Sequence, residues 1–382
     1  MNSSKETSGF LVLADISGYT EFVTTTEIDH GAQILENLIN LVIRQTKPPL
    51  KVQEVEGDAV FSYALSESLR RGTLLVDMID ATYDAFKSTL EEIGRSINCT
   101  CRACASAKDL DMKFVVHHGI FARRATAGHE GISGPDVILA HRLLKNRIKE
   151  VTGRDAYAFF TSPAVKALAI DELTPAMVEH AETYEHLGEV RGWVYDVMKQ
   201  RELTRANREI KVSPESAFLI LTEDFRVPRA VAWEFYANPL HRRQWFSADN
   251  WIVEGSKAGR HDVGTTEHCI HGTETTRIRT LDWKPLRHAT QAVELPMGGR
   301  LLNTATFEDS GDGTRVTVVF GPPEHDRWLQ RNLLRVMMFV IGRSIRRNFT
   351  TCFNALFALI RSGEDVHQHN EEVSWSTAKH AP

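Results

Sequence analysis

Two acids sit at strand ends. Asp15 ends the run "FLVLAD" and is followed at once by Ser17 and Gly18, while Asp58 follows Gly57 at a turn inside "KVQEVEGDAVFSY". If the strands from Phe10 and Lys51 are neighbours in one sheet, both carboxylates project from the same edge. With the backbone carbonyl of Ile16 they make a set of hard oxygen donors suited to Mg2+ or Mn2+ and to a triphosphate. Two solvated turn acids are the other reading of the same pattern.

A second group of residues offers soft donors. Cys99, Cys101 and Cys104 crowd into "CTCRAC", within a total of five cysteines. The number is odd and the spacing short, which in a reducing compartment points to metal rather than disulfides. Structural zinc needs a fourth ligand, from His117, His118 or a partner chain; free buried or redox-sensitive thiols are the alternative. His117 and His118 are adjacent on an alternating strand and so face opposite ways, which makes one of them a packing residue. The same logic separates His268 from His271 and argues against a metal there. Cys269 and Cys352, in apolar surroundings, read as core thiols.

These residues need a scaffold, and 382 residues are too many for one ordinary core, so two domains are expected. The chain has 42% hydrophobic and 25% charged residues, as soluble globular proteins do, and a formal net charge of -5 that leaves no electrostatic footprint for nucleic acid. The polar start "MNSSKETSGF" carries no signal-like apolar run. The most apolar late stretch, "LLRVMMFVIGRSIRRNF", is interrupted by Arg343, Arg346 and Arg347 and reads as an amphipathic helix, so no membrane span and a cytoplasmic location are expected.

Residues 1–198 alternate strand-like and helical runs, including "GAQILENLINLVIRQ", "MKFVVHHGIFA" and "PDVILAHRLLKNRI", which predicts a mixed α+β domain holding the cysteine-rich segment 99–104. Residues 199–214, "KQRELTRANREIKVSP" with its flanks, are polar without an apolar face and read as a linker. From 215 to 365 a strand and a short helix lead into an antiparallel meander, with "DSGDGT" as a hairpin, and then one long helix from about Asp326 to Ile360. Residues 366–382 form a polar tail.

Taken together, "LADISGYTEF", "EVEGDAVFSY", "FVVHHGIFARRATAG" and "GPDVILAHRLL" resemble the class III nucleotide cyclase catalytic domain, in that family's order over about residues 9–198. The resemblance implies a ferredoxin-like fold and a homodimer with active sites between the chains. It also implies attack of a ribose 3'-hydroxyl on the α-phosphate of ATP or GTP. Asp15, Ile16 and Asp58 would hold two Mg2+ or Mn2+ ions, with Gly57 at the nucleotide. Glu54, four before the second metal acid, falls on the base-selecting position, where a carboxylate suits guanine. The partner position falls on Gly131, which has no side chain to read a base. Arg142 matches the transition-state Arg, but Ile138 stands where the family has a ribose-orienting Asn, a loss expected to cost a hundredfold or more in rate. Arg191 is the candidate for the family's late triphosphate Lys, with an exposed strand Arg as the alternative.

The later segments "VPRAVAWEFYANPLHRRQW", "DVGTTEHCIHG", "TLDWKPLRHAT" and "EDSGDGTRVTVVF" resemble the START-like, or SRPBCC, helix-grip family, about residues 217–360. That resemblance implies a curved antiparallel sheet gripping a long helix around a cavity for a hydrophobic small molecule, lined by residues such as Met337, Met338, Ile341 and Phe349. Plain core is the competing reading of that stripe. The two resemblances together imply a bacterial-type signalling protein, either a divergent cyclase tuned by an apolar ligand or an inactive cyclase-fold scaffold or nucleotide sensor. A third reading, in which the helix-grip domain is itself the enzyme, calls for a convergent acid, base or Tyr in its interior.

Overall fold

Phe10 to Ala14 are apolar at every position, and in the computed structural model they are buried at every position. A strand covered on both faces needs no polar alternation. The structure describes residues 6–47, 49–69, 73–95, 101–126, 129–257, 260–295, 299–325 and 342–362. The chain divides into two units, Met1–Arg205 and Ala206–Pro382.

In the first unit, β1 (Glu6–Ser17), α1 (Tyr19–Thr25), α2 (Ile28–Thr46), β2 (Lys51–Glu56), β3 (Ala59–Leu65) and α3 (Leu74–Arg95) come first. Then follow α4 (Arg102–Ser106), a single 3-10 turn (Ala107–Asp109), β4 (Asp111–Thr126), β5 (His129–Ser133), α5 (Pro135–Leu143) and α6 (Ile148–Thr152). β6 (Tyr157–Thr161), α7 (Ser162–Leu168), β7 (Val178–Tyr184), β8 (Gly188–Tyr195) and α8 (Val197–Ala206) complete it. The sheet runs β2-β3-β1-β4-β6-β8-β7, with β5 paired to β4. Among the described residues its one parallel pairing is β4 with β6. Leu11 and Leu13 share a core with Val115, Phe121 and Phe159 of the sheet and with Val137, Ala140 and Leu143 of α5. Helix α2 buries Ile34, Leu35, Leu38, Leu41 and Val42, spaced as one face of an α-helix. The mixed α+β architecture expected from the pattern is the one observed.

Among the described residues the second unit is a seven-stranded antiparallel sheet with two short helices and a C-terminal one. β9 (Leu219–Phe225), α9 (Arg229–Ala237), α10 (Pro239–Trp245) and β10 (Asn250–Glu254) lead into β11 (Thr266–His271), β12 (Glu274–Lys284), β13 (His288–Glu294), β14 (Arg300–Ser310) and β15 (Gly313–Phe320). The strands follow each other as a meander, and β9 closes the edge by pairing with β15. Helix α11, residues 342–362, presents Phe353, Leu356, Phe357 and Ile360 to the interior. Phe353 packs on Trp245 and Phe320, and Phe357 on Phe225. Strand, short helices, meander and terminal helix are as the sequence pattern predicts. The expected start of that helix near Asp326 lies outside the described residues, as do the polar tail and three of the four cavity residues, Met337, Met338 and Ile341. Phe349 is half-buried and its ring stacks at 4.7 Å from Phe320, a packing contact.

The boundary between the two units, after Arg205, falls inside the expected linker 199–214, whose first part is helical. Residues 199–206 belong to α8, whose one buried residue is Val197. It is held by charge: Arg201 donates to Asp84 and Glu91 of α3 at 3.0 and 2.8 Å, and Arg205 donates to Glu91 at 2.9 Å. Further on, Ile210 N donates to Asp282 and Val212 N to Thr304, so residues 210–212 are tied into the second unit.

Candidate functional site

The fold brings the two strand-end acids to one sheet edge. β2 and β3 form a hairpin in which Glu56 faces Ala59, leaving Gly57 and Asp58 as the two-residue loop. Gly57 takes φ 62°, the left-handed conformation such a loop requires at its first position. On β1, Asp15 lies opposite Ala59 of β3 and opposite Lys113 of β4. Ile16 N donates to the Asp58 carbonyl at 3.2 Å, which locks the hairpin tip to the end of β1. In an extended strand a residue's N–H and C=O share an edge, so the Ile16 carbonyl also faces that tip. Beyond it the chain turns at Gly18, φ 87°, into α1.

Charge distribution at this edge is more specific than sequence reasoning foresaw. Lys113 Nζ sits 3.0 Å from Asp15 Oδ2 and also donates to the Leu144 carbonyl at 3.4 Å. Asp58 is pushed above the usual carboxylate range, first by burial and then by the charge of Asp15, with Lys113 partly offsetting both. Such a pair suits a divalent cation, which would relieve the repulsion that adds to burial in raising Asp58, but Lys113 already pairs with Asp15. A lysine inside the apolar strand "MKFVV" gives no hint of this, because its partner is 98 residues away in the sequence. A cleft of about 310 Å³ opens beside Gly18, between Glu21 and Thr25 of α1 and Ser106 and Asp109 on the other wall. Two acids in its walls make it a poor seat for a bare phosphate chain.

The other expected site residues are less concentrated. Glu54 is exposed and, among the described residues, makes no side-chain hydrogen bond or ion pair. A β-bulge between Val52 and Glu54 shifts the register, and the side chain that reaches Gly131 is Gln53: a Cβ on Gly131 would lie 3.8 Å from Gln53 Nε2. Bulges re-aim side chains in this way, and a register counted from Asp58 cannot anticipate one. Ile138 and Arg142 do share the exposed face of α5, Ile138 at 57% exposure, while Val137, Ala140 and Leu143 are buried. No described contact joins Arg142 to Asp15 or Asp58. Arg191 is an exposed strand arginine paired with Glu189 at 2.5 Å. Asp136, at the start of α5, accepts from Ile120 N at 2.6 Å and lies 3.3 Å from His117 Nε2. That approach requires Gly119, since a Cβ there would lie 2.3 Å from the Asp136 carboxyl carbon.

His117 and His118 do not serve the cysteines. His117 is buried against Thr161 and Asp136, whereas His118 bonds Ser66 and edges onto Phe10. Burial lowers the pKa of both, and the partners of each lie away from the cysteines. Cys99 lies outside the described residues. Cys101 and Cys104 instead come together with His30 of α2.

The second unit holds a polar cluster that sequence reasoning missed. Arg242 and Glu267 are 0% exposed, with Arg242 Nε 2.7 Å from Glu267 Oε1. Gln291 accepts from Arg242 Nη2 at 2.9 Å and donates to Glu267 Oε2 at 2.9 Å. His261 Nε2 lies 2.9 Å from Glu267 Oε1, and Tyr236 OH donates to Gln291 Oε1 at 3.3 Å. The guanidinium also lies over the rings of Tyr236 and Trp245. Acid, base and Tyr do converge here, but each is spent on another, and none of them faces solvent. The residues belong to five separate elements or loops, so no local spacing marks them. Cys269 and Cys352 have their thiols pushed up by burial, Cys269 to about 12, as core thiols should.

Comparison with known proteins gives partial overlaps. The family model described as "Protein of unknown function (DUF2652)" matches residues 35–152. The "Uncharacterized protein Rv2561/Rv2562" of Mycobacterium tuberculosis (strain ATCC 25618 / H37Rv) is 31% identical over 141 residues, which are 37% of this chain and 60% of that protein. The chain thus spans less than two thirds of that relative. Among solved structures, the chain is similar to the adenylyl cyclase CyaB from P. aeruginosa, at 14% identity and a TM-score of 0.35 over 50% of this chain and 94% of that one. It is similar also to the guanylyl cyclase Cya2, at 10% identity and a TM-score of 0.35 over 50% and 93% of the two chains.

Proposed function

We propose that the first unit binds a nucleoside triphosphate, ATP or GTP, with Mg2+ or Mn2+ at the edge formed by Asp15, Ile16 and Asp58, as a divergent class III nucleotide cyclase-like domain acting as a homodimer. The observation that carries this is the Ile16 N to Asp58 O bond, which ties the hairpin tip bearing Asp58 to the end of β1, where the charge of Asp15 acts on Asp58. Hard divalent cations take such donors, and when bound they lower the pKa of a ribose hydroxyl and offset charge on the phosphates.

The remaining work falls to the chain's own groups. Gln53, whose amide both donates and accepts, reads the base beside Gly131 in place of Glu54. Arg142 and Ile138, exposed together on α5, meet the nucleotide of the partner subunit; Arg142 steadies the phosphates and Ile138 leaves the ribose unoriented. Lys113 competes for Asp15. The product of these features is nucleotide binding with slow cyclisation. Incubating the protein with ATP or GTP and Mn2+ tests this against Asp15→Ala: the expected result is binding by calorimetry and a small yield of cyclic nucleotide, both lost in the variant. Wild-type protein that binds neither nucleotide would remove the basis of the reading.

Ile138 and the Asp15–Lys113 pair also favour a second reading, a nucleotide sensor or scaffold without turnover. It predicts calorimetric binding with no cyclic product. For the second unit we extend the proposal to a START-like role, with a hydrophobic ligand held against α11 and modulating the first unit. Its support is the apolar face of α11 alone, where Phe349 packs on Phe320. A fluorescent fatty acid that binds wild type and the Phe349→Asp variant equally would count against it.

A further inference from the structure

We propose that His30, Cys101 and Cys104 form a binding site for one soft or borderline divalent cation of the zinc class, stapling α2 to α4. It joins His30 to Cys101 and Cys104 of the cluster in "CTCRAC", Cys99 lying outside the described residues, and it is independent of the nucleotide reading. One ligand atom from each residue lies within 4.8 Å of the other two, and His30 Nδ1 is 3.3 Å from Cys101 Sγ. A tetrahedral zinc site, with Zn–S about 2.3 Å and Zn–N about 2.0 Å, spaces its ligand atoms roughly 3.5 Å apart. The three atoms therefore need only small rotamer adjustments to share one ion. His30 is exposed and the cysteines are half-buried, so a cation and a fourth ligand such as water can reach them.

Two features show that the backbone holds the donors in place. Glu27, which precedes α2, accepts from the backbone N–H of Arg102 and Ala103 at 3.3 and 3.1 Å, fixing the start of α4 beside His30. Cys104 N donates to Cys101 Sγ at 3.4 Å, so the two cysteines are arranged across one helical turn. The staple would join chain segments 71 residues apart. One leaves from Asp15 through α1, and the other enters β4 towards Lys113, so a bound ion holds together the walls of the cleft beside Gly18.

The probes are Zn2+ and Co2+ alone, added to the full chain after chelator treatment under reducing conditions. Co2+ bound by thiolates gives a sulfur-to-cobalt charge-transfer band, whereas Co2+ on the Asp15–Asp58 carboxylates gives none, so the two sites are read separately. The expected result is one equivalent with that band, displaced by Zn2+. His30→Ala and Cys104→Ser each weaken binding at least ten-fold, and His30→Cys keeps the ion with a stronger band. His30→Cys supplies a ligand rather than removing one, which separates ligand loss from misfolding. The proposal is overturned by a wild-type chain without the band, by His30→Ala retaining full affinity, or by His30→Cys failing to bind.

Discussion

Asp58 carries its proton more tightly than an ordinary aspartate, because burial and the charge of Asp15 both oppose ionisation. A carboxylate with a raised pKa favours the fold while protonated, and that contribution is lost as pH rises through its folded pKa. A metal ion must displace the same proton. Mn2+ affinity should therefore climb with pH through a window just above the usual carboxylate range and then level off, with Asp58→Asn abolishing the climb in calorimetric titrations. Lys113 is the competing cation, so at mildly alkaline pH Lys113→Met should raise Mn2+ affinity about ten-fold, the effect of removing one like charge a few ångströms away at a partly screened site. Unchanged affinity would make Lys113 a strut for Leu144 rather than a competitor. Base recognition tests the bulge in the same way. Gln53→Ala should weaken nucleotide binding several-fold, and Glu54→Ala should leave it within two-fold, when both are titrated with the same nucleotide. Asp15 was legible because it ends an apolar run and Asp58 because it follows Gly57 at a strand turn; Lys113, His30 and Gln53 were not, since pairing across the sheet, a distant helix and a bulge put them there.

At the scale of elements, hydrophobic periodicity was a good guide wherever burial decides the structure. β1, α2 and the meander from β11 to β15 all follow their apolar patterns. It failed at α8, which has little apolar surface to bury and is instead clamped by Arg201 and Arg205 to Asp84 and Glu91. Arg201 is the more buried of the two arginines, at 13% side-chain exposure against 44%. Arg201→Ala should cost about 1–2 kcal/mol in chemical unfolding, as loss of partly buried charged hydrogen bonds does. Arg205→Ala should cost less than about 0.5 kcal/mol, in line with exposed ion pairs. Amide exchange along residues 197–206 should quicken selectively in the first variant. Exchange equally slow in both would mean that Val197 alone holds the helix. Glu91 is kept below the usual carboxylate range by these arginines, against its own desolvation, so the clamp weakens as pH falls through its folded pKa.

For the molecule as a whole, the second unit buries the charge pair Arg242–Glu267 completely. Burial alone would raise the pKa of Glu267, but Arg242, His261 and Gln291 outweigh it and leave the carboxyl below its ordinary value. A depressed carboxylate contributes stability above its unfolded pKa, near 4.3, and loses it as pH falls through the folded one. Acid unfolding of this unit should therefore set in below the ordinary carboxylate range. Six of the seven tryptophans follow residue 206, so their fluorescence reports on this unit. Removing one partner leaves the other charge stranded, and Glu267→Leu should cost about 3–5 kcal/mol in urea titrations at neutral pH. Removing both in Arg242→Met with Glu267→Leu should recover most of that loss, because apolar side chains of similar volume need no compensation, and it should flatten the acid branch of the stability curve. A double variant as unstable as the single one would show that Gln291, His261 and Tyr236 need the ions themselves, and that the cluster orders this core through its hydrogen bonds rather than through charge neutrality.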